Sequence, residues 1–121
     1  MILWQRMQDM PLIPRKLETL LKEEAAVYPA VTLFGPRQSG KTTLARACFP
    51  DHEYVNLEDP EERALAHDDY KAFFTRHPGR LVLDEVQRVP EITSAIQVRI
   101  DEHRDEAGRF ILTGSHQTRL F

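Results

Sequence analysis

Residues 31–43 read Val-Thr-Leu-Phe-Gly-Pro-Arg-Gln-Ser-Gly-Lys-Thr-Thr, an apolar run followed by Gly35-x4-Gly40-Lys41-Thr42. This is the spacing of a phosphate-binding P-loop (Walker A), placed after a predicted strand and at the mouth of a predicted helix. A triphosphate needs many N–H donors converging on a small anionic volume with no side chain intruding. Gly35 and Gly40 are expected to adopt backbone conformations closed to residues with a Cβ. They would wrap Pro36, Arg37, Gln38, Ser39 and the loop up to Thr43 around the phosphates, with the amides of about Arg37 to Thr43 as donors. The helix that follows adds unpaired N–H groups and the positive end of its dipole. Lys41 is expected to reach the β- and γ-phosphates, Thr42 to ligate Mg²⁺ through its hydroxyl, and Thr43 to meet the α-phosphate.

A second apolar run, Leu81-Val82-Leu83, ends in Asp84-Glu85 about 40 residues downstream. Burial of the run would set Asp84 at the C-terminal tip of a strand, where ligands bind in open parallel sheets. There the carboxylate would hold Mg²⁺ through its water shell, the Walker B role. Glu85, one position on, faces differently and is the candidate general base for an attacking water. A third run, Phe110-Ile111-Leu112, leads into Thr113-Gly114-Ser115. Ser115, with Thr113 as its stand-in, is the candidate contact to the γ-phosphate or the catalytic water. A strand followed by an ordinary Thr-Gly-Ser turn is the plain alternative for that stretch.

The remaining sequence supplies a scaffold of alternating strands and helices. Leu17, Leu20, Leu21 and Ala25 recur at helical spacing behind Pro14. Strand one is expected at Val31–Phe34, and the helix from about Gly40 to Phe49 is stopped by Pro50. Glu53 to Leu57 alternates as a second strand. Asp59, Pro60 and Glu62 then fit a capping box, and Asp68 or Asp69 opens a turn carrying Tyr70, Phe73 and Phe74. Pro90 is expected to begin a helix with Ile92, Ile96 and Ile100 on one face and a solvated face carrying Arg99, Asp101, Glu102 and Arg104. Strands alternating with helices imply an α/β fold, a parallel sheet covered on both sides in three αβα layers.

Composition narrows the function classes. The chain has 121 residues, room for one domain, with 41% hydrophobic residues and a net charge of −3. That charge gives no overall basic field for nucleic acid. Cys48 is the single cysteine, so no disulfide forms within the chain. No apolar stretch approaches a membrane span, and the N-terminal residues lack the pattern of a secretion signal, so a cytoplasmic location is expected. The five histidines show no ligand spacing, and no metal is expected beyond the Mg²⁺ of the nucleotide.

Taken together, GPRQSGKTT, LVLDEVQRVPE and FILTGSHQ resemble the bacterial and archaeal AAA-type ATPases that usually carry a C-terminal domain of unknown function, DUF4143. The resemblance runs from about Met10 to Phe121 and takes in PLIPR, YVNLEDPEER and Gln87 of DEVQ. It implies ATP binding at Gly35 to Thr43, Mg²⁺ coordination through Asp84, water activation by Glu85 and a sensor near Ser115. It also implies the strand order 5-1-4-3-2, strand four lying between one and three. Members of that family continue past Thr-Gly-Ser with an arginine box, a fifth strand and a helical lid. The expectation is therefore a leader of unknown role at residues 1–9 and a partial P-loop NTPase core at 10–121. That core would have about four strands, the fifth strand and lid missing, and only Arg119 late enough to act as a finger.

Four functions fit these residues. The first is a P-loop core converting ATP and water to ADP and phosphate. The second is a truncated fragment that binds nucleotide with little turnover. A small P-loop kinase is disfavoured by Glu85 beside Asp84, which points to water as acceptor. An interaction module using ATP as a structural ligand is disfavoured for DNA by the acidic balance. An edge at Val31–Phe34 would also invite self-association or a protein partner.

Overall fold

A computed structural model of the chain describes residues 14–36 and 40–115. The expected leader, the loop residues Arg37, Gln38 and Ser39, and Arg119 lie outside these. In chain order the elements are α1 (Pro14–Ala25), β1 (Ala30–Gly35), α2 (Lys41–Cys48), β2 (Glu53–Asn56), α3 (Pro60–Asp68), α4 (Tyr70–Arg76), β3 (Leu81–Asp84), a 3₁₀ turn at Val86–Arg88, α5 (Ile92–Glu102) and β4 (Phe110–Ser115).

The four strands form one parallel sheet in the order β1-β4-β3-β2. As expected, β4 is inserted between β1 and β3. Burial follows that order. Every residue of β3 and β4 is buried, whereas β1 and β2 alternate as outer strands do.

Alternation along each strand divides the core into two layers. Val31, Leu33, Val82 and Ile111 face one side, where Leu17, Leu21 and Ala25 of α1 and Ala45 of α2 cover them. Leu81, Leu83, Phe110 and Leu112 face the other, beneath Phe73 and Phe74 of α4 and Ile92, Ala95 and Ile96 of α5. The structure is thus the three-layer α/β arrangement read from the sequence. Phe73 and Phe74 pack in the core, edge-on to each other with centroids 5.3 Å apart.

Local chemistry sets the element ends. Asp59 caps α3 by accepting from the Glu61 amide at 2.9 Å, with Pro60 at the first position. Asp69 caps α4 through the Ala72 amide at 3.1 Å.

Some expectations need correction. The capping box at α3 is half formed, because the Glu62 carboxylate bonds His77 Nε2 at 2.9 Å instead of turning back to the cap. The helix expected to begin at Pro90 starts at Ile92, after a turn in which the Ile92 amide donates to Val89 O. Arg99 is half-buried rather than solvated, its guanidinium 5.5 Å from the Phe74 ring centroid and bonded to Glu102. Gly35 belongs to β1, paired with Ser115, so its place in the pattern is that of a strand end.

Candidate phosphate-binding site

Insertion of β4 beside both β1 and β3 brings the three strand tips together. Gly35 is in register with Ser115, and Leu83, one residue before Asp84, is in register with Leu112. Side chains 74 residues apart in sequence therefore meet. Lys41 Nζ donates to Ser115 Oγ at 3.1 Å and to the Pro36 carbonyl at 3.1 Å. Ser115 Oγ in turn donates to Glu85 Oε2 at 3.1 Å. One hydroxyl thus accepts from the ammonium and donates to the carboxylate.

The neighbouring cluster centres on Asp84. Thr42 Oγ1 donates to Asp84 Oδ1 at 3.0 Å, tying the first turn of α2 to the tip of β3. Thr113 Oγ1 donates to the same oxygen at 2.5 Å, and Tyr54 OH donates to Oδ2 at 2.5 Å. Burial, followed by the bond to Asp84 and the charge of that carboxylate, pushes the Tyr54 phenol far above its ordinary pKa. Lys41, Asp84 and Glu85 are each less than 10% exposed, uncommon for charged groups and characteristic of a built polar site.

The backbone is specialised at two points here. Gly40 takes φ 85° before the first residue of α2, and a Cβ at that position would meet nothing within 4 Å. Its glycine is required by dihedral angle rather than by crowding. Glu85 takes φ 59°, ψ 51°, the one described non-glycine residue in the left-handed region. That conformation turns the chain directly after β3 and sends Glu85 away from Asp84, toward Ser115. It costs on the order of 1–3 kcal/mol, a cost that concentrates at functional sites.

Of the predicted site residues, the structure brings together Lys41, Thr42, Asp84, Glu85 and Ser115. Gly35 is the buried end of β1 beside Ser115, Pro36 and Gly40 are exposed, and Thr43 is exposed on the first turn of α2. Thr113, read as a stand-in for Ser115, instead supports Asp84. The roles of two further contributors were not legible in the sequence. Gln87 donates to Glu85 Oε1 at 3.0 Å and accepts from the Ser115 amide at 3.2 Å, bridging β3 and β4. Tyr54 was legible only as a strand residue.

No described group of three or more His, Cys, Asp or Glu is arranged to hold a metal ion. The Thr42 hydroxyl and Asp84 carboxylate supply hard oxygen donors side by side, which suits Mg²⁺ held by one or two protein groups, phosphates and water. Two grooves of about 250 and 230 Å³ lie beside Tyr70 and Val98 on the α4–α5 side, and none of these site residues lines them. Among the described residues no helix is long and apolar enough to cross a membrane.

Comparison with known proteins agrees with this geometry. The AAA domain family matches residues 27–121. Uncharacterized proteins of Mycobacterium bovis and Mycobacterium tuberculosis are each 34% identical over 90 residues, covering 72% of this chain and 20% of their own length. The chain thus spans about a fifth of the curated relatives it matches. No solved structure gives a significant match. With the family matched across most of its length, the chain belongs to the AAA domain family, a family of nucleotide-binding, ATPase-like domains.

Proposed function

We propose that this chain binds ATP with Mg²⁺ at the Gly35–Thr43 loop and hydrolyses it to ADP and phosphate. The observation that carries the reading is the buried relay Lys41–Ser115–Glu85 beside the Thr42–Asp84 pair, all at the C-terminal edge of one parallel sheet. Lys41 would exchange its bond to the Pro36 carbonyl for the β- and γ-phosphates. Thr42 and Asp84 would hold the Mg²⁺, which when bound neutralises charge on the phosphate oxygens. Glu85 would accept a proton from water as the water oxygen bonds the γ-phosphorus and the bridging bond to ADP breaks. Gln87 would hold Glu85 in place, and Ser115 would report the γ-phosphate to both Lys41 and Glu85. The left-handed backbone at Glu85 supports this assignment, since a strained acidic residue at a strand tip is better explained by chemistry than by packing.

The test is phosphate release by wild type, Lys41→Ala and Glu85→Gln. Turnover in wild type and its loss in both variants supports the reading; equal rates in all three refute it.

A second reading keeps binding and drops turnover. It is favoured by the engagement of Arg88, Arg99 and Arg109 with Glu58, Glu102 and Glu106 rather than with a site residue. Where an arginine finger acts it contributes about 10³–10⁵ in rate, so a core without one would turn over slowly. Saturable ATP binding with no phosphate release would establish this reading in place of the first. The outer position of β1 in the described sheet also favours pairing with a further strand from another copy, and sedimentation as a monomer would count against it.

A further inference from the structure

We propose that Tyr54 is a positioning residue for the nucleotide's divalent cation: its phenol fixes Asp84 through Oδ2 so that the carboxylate presents its other oxygen beside Thr42. The proposal rests on the function proposed above and assigns a part of that site supplied by β2.

The placement follows from strand geometry. Alternation turns Val55 toward α3–α5 and Tyr54 toward the opposite face, where it packs against the cluster that holds Ala45 and Val82. Tyr54 is in register with Val82 of β3, and Asp84, two residues on, points to the same face. A phenol is long enough to cover that step, and its hydroxyl reaches Asp84 Oδ2 at 2.5 Å. This is within the range of an O–H···O hydrogen bond.

The ring is held in turn by α2. Arg46 lies over it, with the guanidinium carbon 4.1 Å from the ring centroid. Thr42 and Arg46 are four residues apart and share one face of α2. That single face therefore grips Asp84 twice, directly through Thr42 and indirectly through Arg46 and Tyr54. Thr42 and Thr113 share Oδ1, while Oδ2 has Tyr54 as its hydroxyl donor. Without Tyr54 the carboxylate would still be held through Oδ1 by Thr42 and Thr113, but Oδ2 would lose the hydroxyl that helps fix the plane offered to a cation.

A purely structural tyrosine would affect ATP binding with and without metal alike. A positioning tyrosine would affect only the part that depends on Mg²⁺. The experiment is calorimetric titration with ATP in EDTA and in graded Mg²⁺, on wild type and Tyr54→Phe. The variant retains the ring and its stacking partner.

The expected result is unchanged metal-free affinity and an Mg²⁺ requirement raised about tenfold, the lower end of the range for groups that orient metal ligands. An unchanged Mg²⁺ requirement, or a parallel loss with and without metal, overturns the proposal. Failure of wild type to bind ATP at all refutes the proposed function instead, so the two failures are distinguishable. A second measurement does not depend on folding of that variant. Tyr28→Phe/Tyr70→Phe, altering two exposed residues, leaves Tyr54 as the only tyrosine. Addition of Mg²⁺ to its ATP complex should shift the near-ultraviolet tyrosine absorbance, and no shift overturns the proposal.

Discussion

Gly114 is the point where packing and the site meet, and its replacement by alanine tests both. A Cβ there would lie 2.3 and 2.7 Å from two ring carbons of Phe34 and 3.1 Å from Gln87 Oε1. Ordinary contact begins near 3.4 Å, so the ring must retreat by about 1 Å. Overpacking of this kind costs about 1–3 kcal/mol. With an unfolding entropy of about 2.1 cal/mol/K per residue, the 121 residues give about 0.25 kcal/mol per degree. Gly114→Ala should therefore melt about 4–12 °C below wild type by circular dichroism.

Gln87 has less distance to travel, but its amide holds both Glu85 and the Ser115 backbone. Misplacement by an ångström at a reacting centre can cost about a hundredfold. Phosphate release should fall about 10- to 100-fold while ATP affinity changes little. Because the main obstacle is the ring, Phe34→Val should make room. In that background Gly114→Ala should lose most of its thermal penalty, a coupling of about 1–2 kcal/mol in a double-mutant cycle. An unchanged melting temperature in Gly114→Ala, or an equal loss in both backgrounds, would refute the reasoning.

Gly108→Ala should be among the most damaging glycine substitutions, since φ is 70° and a Cβ would lie 2.7 Å from the Ala25 carbonyl oxygen, a backbone atom that cannot swing aside. A loss of about 2–4 kcal/mol is expected from the left-handed penalty and the displaced turn together; Gly79→Ala, with open space around it and no positive φ, should melt near wild type. His52 supplies a pH dependence. Burial is the largest cause lowering its pKa from the ordinary 6.5, its Nε2 bonds the Gly108 carbonyl at 2.7 Å, and its buried Nδ1 has no described partner. The unfolded chain therefore takes up the proton first, so this contribution is complete above pH 6.5 and is lost as pH falls below it. His67, exposed and shifted upward by Asp68 and then Glu91, has the opposite sign, so the effect should be read as wild type minus His52→Asn in denaturant melts from pH 7.5 to about pH 5. A difference that does not shrink toward low pH would refute it.

The frame of the fold was legible because its signals are local. An apolar run, the P-loop spacing and a helix stop at Pro50 define β1 and α2 within 20 residues. Asp84-Glu85 and Thr113-Gly114-Ser115 each close a short apolar run. Placing β4 between β1 and β3 came from family resemblance, since no local pattern encodes which strands pair. What escaped reading depends on contacts across the fold. Tyr54 reaches Asp84 across 30 residues, and His77 takes Glu53 at 2.7 Å and Glu62 at 2.9 Å from two other elements. The second of these contacts removed the carboxylate that the α3 capping box needed. The left-handed turn at Glu85 was invisible for a different reason, because a glutamate carries no signature of the backbone region it occupies. Gln87 was quoted as part of a motif, but its role appeared only once β4 lay beside it.

The most direct test of the central claim is calorimetric titration of the purified chain with ATP and Mg²⁺, in wild type and Lys41→Ala. Saturable binding of one nucleotide per chain, abolished by the substitution, is the predicted result. Heats in wild type no larger than dilution, or equal affinity in the two proteins, would contradict the assignment of the three strand tips as a nucleotide site.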